Sequence, residues 1–86
     1  MTQLWPAGQP IVVTVDGHGI PVEFVWQEQR HPIRAIVQQW QVDLEWWRAE
    51  GRIWRDYLAL ITSNNLFCVI YYDRLHEEWR LTRLYD

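Results

Sequence analysis

Short runs of β-branched and aromatic residues, separated by turn signals, recur along this chain of 86 residues and restrict its fold more than any other feature. The runs recur every 8–12 residues or so, about the spacing seen in all-β sandwiches and barrels. They cover residues 11–15, 20–26, 33–40, 53–62, 66–72 and 79–85. The pattern predicts an all-β fold: a small meander of about six strands that curls into a barrel or a strongly bent antiparallel sheet.

The segment 20–26 alternates most cleanly between apolar and other side chains, which is typical of a half-buried strand. Pro21 indicates an edge position or a strand start, because proline cannot donate a hydrogen bond to a ladder. The preceding Asp16 and Gly17 predict a tight hairpin, and residues 27–32 are expected to form a polar turn. The residues predicted to pack in the core are Val22, Phe24, Trp26, Leu60, Val69 and Leu81.

Residues 42–48 fit two structures. Apolar and acidic side chains alternate there as in a strand, whereas Asp43 followed by Trp46 and Trp47 would open one helical turn. An irregular or short helical connection is the favoured prediction. If the segment were extended, its two adjacent tryptophans would face opposite sides, and the pattern does not decide which of them is buried.

The length allows one domain, with residues 1–10 as an extended N-terminal lead-in and residues 11–86 as a single small β domain. Trp5 either folds back onto the domain or lies in a mobile tail. The first ten residues lack the basic start and apolar run of a signal peptide. No stretch approaches the roughly 18 apolar residues of a membrane span, so no membrane association is expected.

The charges and the single cysteine narrow the functional classes. The net charge of −3 argues against a general nucleic-acid clamp, because such domains neutralise phosphates with a basic excess. All eight basic residues are arginine, which suits planar and stacked contacts or reflects composition bias. Cys68 lies in an apolar run and is expected to be a buried, inert thiol, and the absence of disulfides fits a cytoplasmic location.

No motif indicates catalysis, a metal site or a cofactor. The three histidines, His18, His31 and His76, fall in predicted turns without a zinc-ligand spacing, so they are expected to be exposed. The carboxylates lie near turns beside arginines, as solvated charge pairs do. The chain is therefore expected not to be an enzyme.

Tryptophan and arginine alternate along the second half of the chain, and this is the most informative functional feature. Exposed Trp and Arg anchor protein interfaces, and aromatic rings also stack on unpaired bases. An alternative is that the rings only close the ends of the fold. The predicted contact surface comprises Trp46, Trp47, Arg48, Trp54 and Arg55.

Several of these residues resemble a known family. Glu45-Trp46-Trp47-Arg48, the run Arg55-Asp56-Tyr57 and the C-terminal run from Trp79 to Asp86 are similar to a domain of unknown function. That domain occurs at the C-terminus of the mutasome's Y-family polymerase-like (ImuB-type) proteins and as free-standing small proteins. The resemblance covers about residues 11–86.

The resemblance implies a non-catalytic accessory module whose partner is an error-prone (translesion) DNA polymerase or another DNA repair protein. The alternative is a single-stranded nucleic-acid-binding domain that uses a Trp/Arg face. An edge strand with an exposed tryptophan would also allow two copies to pair, so a homodimer is a further prediction.

Overall fold

The computed structural model describes residues 2–45, 47 and 51–85. Within them the chain forms six strands and no helix: β1 Gln3–Val15, β2 Pro21–Trp26, β3 Gln29–Leu44, β4 Ile53–Thr62, β5 Phe67–Asp73 and β6 Glu78–Tyr85. Each strand pairs antiparallel with the next, and β6 pairs with β1, so the sheet closes into a ring. The all-β, six-stranded meander expected from the sequence is confirmed. In the described part of the chain, no helix is long and apolar enough to cross a membrane.

Because consecutive strands run in opposite directions, their connections alternate between the two ends of the ring. We call the end that carries the β1–β2, β3–β4 and β5–β6 connections the upper end. The lower end carries the β2–β3 and β4–β5 turns, the start of β1 and the end of β6. This division places the core between two chemically different ends.

The core lies inside the ring and consists of side chains from neighbouring strands that face the same side. Leu60 pairs in register with Cys68, and Ile70 pairs with Leu81, so these side chains meet across the interior. Burying each large aliphatic side chain contributes roughly 1.5–3 kcal/mol relative to exposure. The buried cluster comprises Ile11, Phe24, Leu58, Leu60, Cys68, Ile70 and Leu81. The expected burial of Phe24, Leu60, Val69 and Leu81 is confirmed, and Trp26 packs against the cluster from a half-buried position.

Strand β2 departs from the predicted alternation at Val22. Thr14 pairs with Glu23 and Val15 with Pro21, so Val22 is an extra residue in the ladder. Such a bulge adds one residue to β2, so the side chains on its two sides no longer follow a single alternation. Val22 is consequently 41% exposed and Pro21 is buried, so the prediction that Val22 packs in the core was wrong.

Strand β3 is longer than predicted at both ends. The turn before it contains only Gln27 and Glu28, with φ values of 52° and 62°, so the expected polar turn over residues 27–32 was too long. Two-residue hairpins with positive φ favour Asn and Gly, and the Gln-Glu pair gave no such signal. At the other end, Val42 pairs with Arg55 as part of the sheet, so the helical prediction was wrong for this part of the segment.

The residues expected to form an extended lead-in belong to β1 from Gln3 onward. Leu4 pairs with Arg83 and Pro10 with Arg80, and the ladder is interrupted between these pairs. The unpaired residues between Leu4 and Gln9 pass beside Tyr71, whose hydroxyl donates a hydrogen bond to the Ala7 carbonyl oxygen at 3.1 Å. This contact fixes the N-terminal segment on the outer face of β5 and β6.

Aromatic side chains fill the lower end of the ring. Trp5 folds back onto the domain, and its ring meets Trp26 edge-on at a centroid distance of 5.3 Å. Phe24 stacks on His31 at 5.0 Å. The expectation of an exposed His31 in a turn was wrong, because the short β2–β3 turn places it within β3, where it is buried. Burial lowers the pKa of His31 below its usual 6.5, and its Nε2 atom has no hydrogen-bond partner among the described residues.

Candidate binding groove at the upper end

An open groove of about 660 Å³ lies at the upper end, above the core. The β1–β2 hairpin forms one wall at Gly19–Pro21, and the upper halves of β3, β4, β5 and β6 form the rest. The side chains nearest the core are Leu58, Tyr72 and Trp79, which face the interior of the ring. Volumes of this size are typical of small-molecule binding pockets. We call this feature the upper groove.

Two pairs of aromatic rings lie at the upper end, on opposite faces of the sheet. Trp40 and Tyr57 are register partners on β3 and β4, and their rings stack at 5.3 Å with an interplanar angle of 6° on the outer face that Tyr71 shares, behind the groove. Tyr72 and Trp79 are register partners on β5 and β6, with ring centroids 5.1 Å apart. Trp40 remains 38% exposed, so part of its ring is available to a ligand. Exposed, pre-oriented aromatic rings of this kind are frequent anchors of binding interfaces.

The arginines beside the upper groove are paired with carboxylates. Arg74 Nε donates to Asp56 Oδ2 at 2.6 Å, and both residues line the groove. Higher on the β3–β4 hairpin, Arg52 makes two hydrogen bonds of 3.2 Å to Asp43. The two guanidinium groups also lie over the ring of Trp54, at 4.5 Å for Arg52 and 5.0 Å for Arg74. The rim of the groove is thus ordered by ion pairs and cation–π contacts and carries balanced charge.

The structure separates the residues predicted as the contact surface. Trp54 lies at the groove rim, and Trp47 is 67% exposed in the turn after β3. Arg55 points to the opposite face of β4, where its guanidinium lies 4.4 Å from the centre of the Tyr71 ring and donates to the Tyr57 hydroxyl. Trp46 and Arg48 lie outside the described residues.

Four aromatic residues at the upper end were not predicted as site residues: Tyr72 and Trp79, which face the groove, and Trp40 and Tyr57, which lie on the outer face behind it. One local signal pointed to Trp40, since the polar side chains of Gln38, Gln39 and Gln41 surround it in the sequence. Polar neighbours on both sides of a tryptophan are typical of a strand that leaves the core. The pairing of Tyr72 with Trp79 depends on the β5–β6 register, which no local pattern specifies.

A second, smaller depression of about 380 Å³ lies on the outer face, around Arg55 and Tyr71. Asp73, His76 and Glu78 could each offer one metal-ligand atom there, all within 4.8 Å of one another. These groups already bond within the protein, because His76 Nδ1 lies 2.8 Å from Asp73 Oδ2 and Arg80 Nε donates to Glu78. We assign no metal to them.

The carboxylate of Asp73 organises the β5–β6 turn. Burial alone would raise the pKa of Asp73, but hydrogen bonds from the side chain and backbone of His76 and from the backbone N–H of Leu75 lower it overall. Such bonds favour the ionised form of a carboxyl group. The group therefore stabilises a turn at the upper end.

Cys68 is fully buried between β4 and β6, and burial raises the pKa of its thiol to about 11. A thiol protonated at neutral pH is a poor nucleophile. The expectation of a buried, inert thiol is confirmed.

Comparison with known proteins identifies a family but no individual relative. No curated protein matches the chain, and no solved structure matches it. A family model described as a domain of unknown function, DUF6504, matches residues 6–86, which include all the strands except the first residues of β1. The chain therefore belongs to the DUF6504 family of domains of unknown function.

Proposed function

We propose that this domain is a non-catalytic binding module of an error-prone DNA polymerase or DNA repair assembly, and that its upper groove receives a protein partner from that assembly. The link to translesion synthesis rests on the resemblance of Glu45-Trp46-Trp47-Arg48 and the C-terminal run to the domain of the mutasome's polymerase-like proteins. The proposal includes a cytoplasmic location, which suits a chain with a single, buried cysteine.

The observation that carries the proposal is the combination of half-buried aromatic surface, from Tyr72 and Trp79, and balanced charge in the upper groove. A phosphodiester backbone requires unpaired cations, because release of counterions supplies much of its affinity. Arg74 and Arg52 are instead committed to Asp56 and Asp43, at 2.6 Å and 3.2 Å. A protein segment needs apolar area at the centre and few charges, which matches the groove.

The test measures binding of the purified domain to two purified proteins: the Y-family polymerase-like protein of the mutasome and the polymerase that works with it. Removing a ring that faces the groove with Tyr72→Ala is expected to weaken binding about tenfold or more, as loss of an interface anchor does. Trp47→Ala is the matched control, because Trp47 is exposed outside the groove and its loss should change the affinity much less. Absence of binding to both proteins would overturn the proposal.

Single-stranded DNA is the second candidate, and the stacked Trp40–Tyr57 pair is the observation in its favour. Titration of tryptophan fluorescence with an oligonucleotide at low and then moderate salt separates the two functions. Quenching that weakens with salt would favour nucleic acid. An unchanged signal at both salt concentrations, with binding to the polymerase proteins, would favour the protein partner.

A further inference from the structure

Strand β3 carries an unpaired backbone edge beside the upper groove. On one side, β3 pairs with β4 from Ile33 to Leu44. On the other side, its pairing with β2 covers only Gln29 to Pro32. Among the described residues, the upper part of β3 therefore has no neighbouring strand on its β2 side. Alternate residues of such an edge present backbone N–H and C=O groups that another strand can pair with.

The gap arises because the β1–β2 hairpin separates from β3 at the upper end. The last β2–β3 register pair is Glu23 with Pro32, and the bulge at Val22 follows directly. Gly19–Pro21 then stands across the upper groove from Ile36 and residues 39–41. The strands pair all round the ring at the level of the core, but above that level the described residues of β2 and β3 are not paired with each other.

We infer that an extended segment of the partner protein binds by strand addition, pairing with the free edge of β3 and filling the gap beside the β1–β2 hairpin. This inference rests on the proposed function and specifies how the same groove is used. In this mode, main-chain hydrogen bonds supply affinity and alternate side-chain positions supply selectivity.

The occupant is an uncharged segment with apolar side chains at alternate positions. Every second side chain of an added strand would point into the ring, towards Leu58, Tyr72 and Trp79. The β3 edge itself bears neutral glutamines at positions 38, 39 and 41, and the nearby Asp43 is paired with Arg52. Nothing at the groove therefore selects for a strongly charged segment.

The upper part of the edge, residues 38–44, carries few of the common guards against strand pairing. Natural edges often carry Lys, Pro, β-bulges or inward-facing charges, whereas residues 38–44 contain no Lys, no Pro and no bulge against β4, and their one charged residue, Asp43, is paired with Arg52. A second copy of the chain is the competing occupant. In a second copy, β3 is already paired with that copy's own β4, so both strands would have to enter the gap. The β1–β2 hairpin of the first copy occupies the position that this β4 would need.

The experiment selects peptides from a random display library on the full chain and measures the affinities of the enriched sequences. Enriched peptides are expected to alternate apolar residues. N-methylation of alternate amides, which removes donors and leaves side chains unchanged, is expected to weaken binding about tenfold or more on one set of positions and little on the other. Amide exchange followed by NMR should show new protection at every second residue between positions 38 and 44, where β3 runs without a bulge.

Two results would overturn the inference: no enriched peptide, or enriched peptides whose N-methylated forms bind as well as the parent on both sets of positions. Sedimentation of the chain alone as a dimer with protected β3 amides would assign the edge to a second copy instead. The polymerase binding assay is independent of these results. If the domain binds a polymerase protein but shows no strand addition, the proposed function is supported and this inference is wrong. If peptides bind by strand addition but neither polymerase protein binds, this inference is supported and the proposed function is wrong.

Discussion

The two ends of the ring are both rich in aromatic residues, but they use them differently. At the lower end, Trp5, Trp26, Phe24 and His31 pack against one another and against the core. At the upper end, Tyr72 and Trp79 face an open groove, and the stacked Trp40–Tyr57 pair lies on the outer face behind it. Aromatic content alone therefore does not separate a structural cluster from a binding surface. What separates them is whether a neighbouring strand covers the rings.

The largest effect is expected from Phe24→Ala at the lower end. Phe24 is 1% exposed, and truncating a buried phenylalanine costs about 3–5 kcal/mol through lost burial and the cavity left behind. Trp40→Ala at the upper end removes a larger but partly exposed ring, so its cost should stay near 1 kcal/mol. Urea unfolding of both variants measures the difference. Equal losses of stability would show that the upper rings are structural as well.

Gly8→Ala tests the attachment of β1, which carries Trp5 to the lower end. Gly8 has a φ of +76°, and a Cβ there would lie 2.7 Å from Arg80 Cβ and 2.8 Å from the Tyr71 hydroxyl. Backbone strain and displacement of Tyr71 should together destabilise the fold by about 1–3 kcal/mol. Gly17→Ala is the control, since a Cβ at Gly17 meets nothing within 4 Å. A melting temperature lowered equally by both substitutions would contradict the close contact at Gly8.

His31→Phe is expected to remove a pH dependence that belongs to the lower end. The pKa of His31 is lowered by burial, so below about pH 6.5 the unfolded chain binds a proton that the folded chain resists. The free energy of unfolding of the native protein should therefore fall as the pH drops below that value. In His31→Phe this contribution to the pH dependence of stability should be absent. The variant also removes a buried Nε2 that has no hydrogen-bond partner among the described residues, which should add roughly 1 kcal/mol to the stability at neutral pH. Parallel slopes for both proteins between pH 7 and 5 would show that His31 is not the group responsible.

The sequence predicts the core of this fold better than its two ends. Alternation placed Phe24, Leu60 and Leu81 correctly because residues inside a regular ladder follow a period of two. It failed at Val22, where a bulge adds one residue, because a bulge depends on the partner strand. It failed at His31 because a Gln27-Glu28 turn with positive φ carries no composition signal.

The candidate site was less predictable for a similar reason. Trp and Arg composition pointed to the β3–β4 hairpin, where Trp54 and Trp47 lie. Composition could not reveal that Arg55 turns to the opposite face or that Tyr72 and Trp79 open onto the groove, because both depend on register. The free edge of β3 follows from where β2 stops pairing, which is a property of the whole sheet.

Asp56→Asn is expected to have the smallest effect on stability. It tests whether balanced charge keeps phosphate groups out of the upper groove. The Asp56–Arg74 pair is partly exposed to solvent, so its loss should cost no more than about 1 kcal/mol. The variant leaves Arg74 without its carboxylate in the upper groove and gives the groove an uncompensated positive charge. Single-stranded DNA should then quench tryptophan fluorescence at low salt more strongly with the variant than with the native chain. If the native chain already binds as tightly as the variant, charge balance does not exclude phosphate from the groove, and the nucleic-acid function gains over the protein partner.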